Sequence, residues 1–184
     1  MNAKLLLKSL FFKIAFVVLG VTFFESCNKN DTTKNTIFTD NVKEEKEAYF
    51  FIATVNVSKK MISKSQIAQQ KGSQIKVVEL SKKIENQQNK IFQEITKIAN
   101  KKLIIITEIN AAGNQDLYEL MNTTQKKFDE SYLNSMSDSL TEEIELFRTI
   151  TKETKDVAIL KLINEFLPIQ FEHLKEIEEL KKKT

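Results

Sequence analysis

The sequence predicts an all-α protein: an antiparallel four-helix bundle with a long connection between helices 2 and 3. Three observations carry this. The 184 residues include 3 glycines and 1 proline, too few for the turns of a β-rich fold. Lys, Glu, Gln, Leu and Ile are abundant, which favours helix. Four segments of similar length each place apolar side chains three and four residues apart, the spacing of one helical face.

A targeting segment comes first. Lys4, Lys8 and Lys13 make a basic start, and Ile14 to Phe24 is an uncharged apolar core of eleven residues. A membrane span needs about 20 such residues, so this is signal-peptide length. Lys8 and Lys13 interrupt residues 5–24, which ranks an uncleaved anchor below a signal peptide. Ser26 then precedes Cys27, the single cysteine. A small residue before a lone cysteine resembles the lipoprotein signal of bacterial envelopes, so residues 1–26 are expected to be a lipoprotein signal peptide and Cys27 the lipidated residue. Residues 27–41 are expected to be a polar tether, and residues 42–184 the bundle domain.

Removing residues 1–26 lowers the net charge from +3 to +1. A near-neutral domain with mixed charges excludes nucleic acid as its main partner. The expected partners are the membrane, through the lipid, and an envelope protein; the oligomeric state is left open. The expected address is the cell envelope, on the outer membrane facing the periplasm.

The first helix is expected from about Val42 to Gln70, with Phe50, Thr54, Val57, Met61 and Ala68 inward. Gly72 is expected to close it in a left-handed conformation, with Ser73 capping the next helix. The second helix, Gln74 to about Asn100, has the seam Val77, Leu80, Ile84, Gln87, Ile91, Ile95 and Ile98. Residues 101–123 form the long connection. Leu103 to Ile106 is expected to lie extended across the bundle end, Ala112-Gly113-Asn114 to turn, and Asp116 to Met121 to make one or two helical turns. The third helix, Gln125 to Glu153 with Thr123 or Thr124 as cap, shows Phe128, Tyr132, Met136, Leu140, Ile144, Phe147 and Ile150. The fourth runs from Val157 to Lys182, capped by Asp156, with a broad apolar arc that takes in Phe166, Leu167, Phe171, Leu174 and Ile177. It contains Pro168, which removes a backbone donor, and the single histidine, His173, inside that arc.

Phe51-Ile52, Phe128-Asp129-x-x-Tyr132 and Leu167-Pro168-x-x-x-x-His173-Leu174 resemble the bacterial domain-of-unknown-function family 4142, over about Tyr49 to Lys181. The resemblance implies a ferritin-like bundle behind a signal peptide or lipoprotein signal. It also implies an inward glutamate in helix 1 and inward histidines in helices 2, 3 and 4, a constellation suited to metal. Here those positions fall near Met61, at Gln87, near Ser139 or Leu140, and at His173. One imidazole does not make a typical protein metal site, so no metal or other cofactor is expected, and His173 stays the one metal candidate. Its bland reading, and that of Gln87 and Tyr132, is a hydrogen-bonded interior side chain.

Other chemistry is thin. The chain carries no GxGxxG, P-loop, CxxC or HExxH. Glu142-Glu143-x-Glu145 and Glu176-x-Glu178-Glu179 read as acidic clusters, without the Glu-x-x-His pairs of di-iron bundles. The expectation is a non-enzymatic, lipid-anchored bundle for binding or envelope maintenance, with a reduced ferritin-like metal site around His173 as the alternative.

Overall fold

The computed structural model describes residues 31–107 and 113–183. Five helices follow in order: α1 (Asp31–Lys71), α2 (Ile75–Lys101), α3 (Gly113–Asn122), α4 (Gln125–Glu153) and α5 (Val157–Lys181). The chain divides after Asp40. Of the first unit, residues 31–40 are described, as the opening of α1. Residues 41–184 form the second unit, the bundle. The signal segment and Cys27 lie outside the described residues. Among the described residues, α1 begins eleven positions before the expected Val42, so residues 31–41 are helical.

Side-chain bonds give the topology. Along α1 and α4, Lys46 meets Glu153, Ser58 meets Glu143 and Lys64 meets Ser139: one number rises as the other falls. The same reversal relates α1 to α2 (Gln69 with Glu85, Glu47 with Lys102) and α2 to α5 (Lys83 with Glu176, Gln88 with Gln170). The order is therefore up, down, down, up. Every neighbouring long pair is antiparallel, and one long crossover joins α2 to α4, as in ferritin-like bundles.

The described parts of that crossover run along the bundle's length, and Leu103 to Ile106, expected across the bundle end, opens this path. Asn56 donates to the Thr107 carbonyl, Lys64 pairs with Asp116, and Lys71 donates to the Thr123 carbonyl. The reason is geometric. The chain leaves α2 near Glu47 and must return to the opposite end to start α4. The short helix is α3, ten residues long, and it buries Leu120 against the bundle.

Two connections differ from expectation. Gly72 is not left-handed. It is glycine because an added Cβ would stand 2.6 Å from the Ala68 carbonyl oxygen and 3.0 Å from Val78. The left-handed residue is Leu103, with φ 58°, which closes α2. Ile104 N–H donates to the Ala99 carbonyl and Leu103 N–H to that of Asn100, the Schellman arrangement that usually uses glycine. Ser73 does not cap α2 either. Asp129 of α4 instead holds the turn before α2 from outside, accepting from Ser73 N–H, Gln74 N–H and the Ser73 hydroxyl at 3.0, 2.9 and 2.6 Å. Asp156 caps α5 as expected, accepting from Ala158 and Ile159 N–H.

The predicted inward residues of the first and third helices are all buried. In α2 the end of the seam shifts from Ile98 to Ala99, and in α5 Phe171 is 45% exposed. Pro168 and Asn164, the residue whose carbonyl loses its donor, are both exposed, so the interrupted ladder faces water rather than core.

Gly72→Ala should lower the urea-unfolding free energy by roughly 1–3 kcal/mol, because a backbone oxygen cannot step aside. Leu103→Gly should raise it by roughly 0.5–1 kcal/mol, the left-handed strain relieved less the entropy glycine adds to the unfolded chain. Parallel denaturation curves check both.

Candidate functional site

The apolar core is two clusters, not one. The first holds Val57, Met61, Leu80, Ile84, Tyr132, Leu140 and Ile177 among others; the second holds Phe51, Val55, Ile91, Phe147, Ile163 and Phe166. In sequence, the gaps between them are 84 to 91, 140 to 147 and 166 to 177. Each gap carries a buried polar residue, and α1 adds another.

The result is a layer with one residue from each long helix: Ser58, Gln88, Glu143 and Gln170. Glu143 is fully buried. Its carboxylate accepts from the Ser58 hydroxyl at 3.1 Å and from Gln88 Nε2 at 2.8 Å. Gln88 Nε2 also donates to Gln170 Oε1 at 3.2 Å. Burial pushes the Glu143 carboxyl up to about 7, although the two hydrogen bonds favour the charged form. Gln88 Oε1 and Gln170 Nε2 have no protein partner.

The residues expected from sequence sit beside this layer. Gln87 is buried, and its Nε2 makes no hydrogen bond to protein. His173 is buried one turn beyond Gln170, and its Nδ1 is also without a protein partner. Burial lowers the His173 pKa; Glu176 and Glu172 act against that and Lys83 with it. Glu176 is already paired with Lys83 at 2.8 Å. Burial raises the Tyr132 hydroxyl's pKa, which the facing Ser65 opposes. The interior hydrogen bonds expected for Gln87 and for the His173 Nδ1 are not made. Of the two acidic clusters, Glu142 and Glu145 stay exposed while Glu143 turns inward.

A metal of the ferritin-like kind does not fit these side chains. The layer offers one carboxyl, two amides and a hydroxyl. Met61, Gln87 and Leu140 or Ser139 stand where the resemblance implies further ligands. No three His, Cys, Asp or Glu converge among the described residues.

Another buried polar residue, Lys64, is 1% exposed. Its ammonium donates to Ser139 Oγ at 2.9 Å and to the Ser135 carbonyl at 3.2 Å, and pairs with Asp116 of α3 at 3.5 Å. Burial lowers its pKa, against the pull of Asp116. It pins the crossover helix to the bundle. At the far end Glu47, nearly buried, accepts from Thr154 Oγ1 at 2.6 Å and Lys102 Nζ at 2.8 Å, and Lys102 reaches Asp156 at 2.7 Å. Burial pulls the Asp156 carboxyl up, but Lys102 and the α5 N–H groups outweigh it and hold the pKa below normal.

Sequence reading missed Glu143, Gln88, Gln170, Ser58 and Lys64. The signal was present. Glu143 is three after Leu140 and four before Phe147; Gln88 is four after Ile84 and three before Ile91. Lys64 is three after Met61 and four before Ala68. Each occupies a seam position whose residue type argued for the surface.

The family model of a domain of unknown function, DUF4142, matches residues 39–180. No curated protein matches the chain. A solved structure, the crystal structure of a DUF305 fragment from Deinococcus radiodurans, is similar in fold, with a TM-score of 0.69 at 10% sequence identity. The match covers 76% of this chain and 97% of that one.

Glu143 sets a pH dependence. Between the ordinary value of 4.5 and about 7 the folded protein keeps a proton that the unfolded chain has released. Its contribution to stability is therefore greatest below the unfolded value and is lost as pH rises through about 7, by roughly 3 kcal/mol in all. His173, with its lowered pKa, works in the opposite sense, its stability lost as pH falls. The difference between Glu143→Gln and wild type isolates the carboxyl: in urea titrations it should widen in favour of the variant by roughly 3 kcal/mol from about pH 5 to about pH 8.

Proposed function

The chain belongs to the DUF4142 family, and from that premise we propose that it is a lipid-anchored, non-enzymatic helical bundle of the bacterial envelope that serves by binding a partner there. The observation that carries this reading is the composition of the bundle's centre. Ser58, Gln88, Glu143 and Gln170 spend their strongest hydrogen-bonding groups on one another. That arrangement holds helices in register. A partner is then met by the outer surface. The basic start, the eleven-residue apolar core and Ser26-Cys27 supply the anchor. None of the described helices is long and apolar enough to cross a membrane.

Cys27→Ala should move the protein from the membrane fraction to the soluble fraction of its host envelope and abolish labelling by a fatty-acid probe. A wild-type protein that is soluble and unlabelled would overturn the anchor.

One observation favours a second reading, a reduced metal site: His173 Nδ1 is buried and unpartnered, with Glu172 and Glu176 close enough to act on it. Binding to the folded state alone raises stability by about 2.7 kcal/mol at one hundred times Kd. Under this reading zinc, manganese or iron(II) should raise the melting temperature of wild type and leave His173→Ala unchanged. Equal melting temperatures with and without each metal would rule it out.

A further inference from the structure

The hydrogen bonds of the central layer have a direction, and the direction is reversible. One nitrogen, Gln88 Nε2, donates both to Glu143 Oε2 at 2.8 Å and to Gln170 Oε1 at 3.2 Å. It has two hydrogens, so both acceptors are served. The other end of each amide, Gln88 Oε1 and Gln170 Nε2, has no protein partner, although both side chains are fully buried.

The same three side chains fit a second pattern. Turning each amide by half a turn places Gln88 Oε1 where its nitrogen was, and Gln170 Nε2 where its oxygen was. Gln88 Oε1 then accepts from Gln170 Nε2. It faces Glu143 Oε2, and two facing oxygens attract only if one carries a proton. A protonated Glu143 donates to it, and the oxygen's two lone pairs serve both donors. The heavy atoms keep their places and both bonds survive with opposite polarity. The ionised carboxyl admits only the first pattern, and the neutral carboxyl completes the second. Ser58 Oγ donates to Glu143 Oε1 in either case.

We propose that Glu143, Gln88 and Gln170 form a one-proton switch, in which a proton taken from solvent by the Glu143 carboxylate turns over both amides and reverses the hydrogen-bond chain across the bundle. No covalent bond other than the new O–H forms, and none breaks. The layer gains one positive unit of charge.

The surroundings leave this proton to the carboxyl. The side chains that face it are Ser58 from α1, Gln88 from α2 and, through Gln88, Gln170 from α5, and none is charged. Glu142, on α4 itself, is the charged neighbour that acts on Glu143, and it favours proton uptake. His173 on α5 answers to Glu176, Glu172 and Lys83, and Lys64 on α1 to Asp116, Lys60 and Asp138. With no counter-ion facing it, the carboxyl changes state near neutral pH.

The test is nitrogen-15 NMR of glutamine side-chain amides in the full chain in detergent micelles, titrated through neutral pH. Wild type should show two amide pairs that shift together with one midpoint near neutrality. Glu143→Gln, whose amide nitrogen donates as the neutral acid would, should hold the low-pH pattern at every pH. In Gln88→Met one pair should vanish and the Gln170 pair should cease to titrate. Should that variant fail to fold, the Glu143→Gln comparison still decides. Amide signals indifferent to pH in wild type would overturn the switch. So would signals that still titrate in Glu143→Gln, or a carboxyl that titrates while both amides stay fixed.

Discussion

A carboxyl buried at the middle of a helical bundle constrains everything around it. Glu143 lies between two apolar clusters, and burying it ionised and unpaired would cost several kcal/mol. The cost is limited by neutralisation and by hydrogen bonds from different helices. Those bonds exist only in one register. Sliding α2 by one turn would bring Ile84 or Ile91 to the carboxyl in place of Gln88. Sliding α1 would bring Thr54 or Met61 in place of Ser58. Polar positions inside a coiled-coil-like seam fix register at some expense of stability, and the central layer here fits that use.

The ends of the bundle solve a different problem, that of a chain whose second and third long helices run the same way. The crossover must travel the bundle's length, and Ile104, Ile106 and Leu120 pack against the two clusters along it. Polar ties add to these: Asn56 near its start, then buried Lys64, and Lys71 at its close. Lys64 is the most exacting of these, since an ammonium at 1% exposure must keep Ser139, Ser135 and Asp116 together. At each end one acid joins separate segments. Asp129 closes the α1–α2 turn from α4, and Glu47 gathers Lys102 and Thr154. Surface ion pairs contribute little, but these two carboxylates are buried and each ties segments that are distant in sequence.

The long helices and their inner faces were legible because apolar periodicity is a strong signal: Phe128 to Ile150 reads straight off the chain. The polar layer was not legible, because its residues have the character of surface residues. Glu143 sits within Glu142-Glu143-x-Glu145, and nothing local distinguishes the one that turns inward from the two that do not. The distinction lies in α1, α2 and α5, which bring donors to that height. Gln87 drew attention as the polar member of the seam, yet the neighbouring Gln88 makes the inter-helix bonds, because α2 buries a face wide enough for both. Asp129 and Leu103 show the same limit. A turn held by a carboxylate 56 residues away in sequence, and a left-handed leucine where glycine is customary, follow from tertiary closure and not from local preference.

The resemblance to a DUF305 fragment, at 10% identity, concerns shape alone. A bundle shape is compatible with many interiors, and the interior determines what chemistry the fold can host. A metal-loading interior needs several strong donors that point at one empty position. This interior instead has donors and acceptors that point at each other, with one ionisable group among amides whose hydrogen bonds can run either way. Such a centre ties four helices together through one ionisable group. The carboxyl's rise to about 7 then matters because it places the change of charge within reach of ordinary variation in pH, in a bundle that has no facing counter-ion to suppress it.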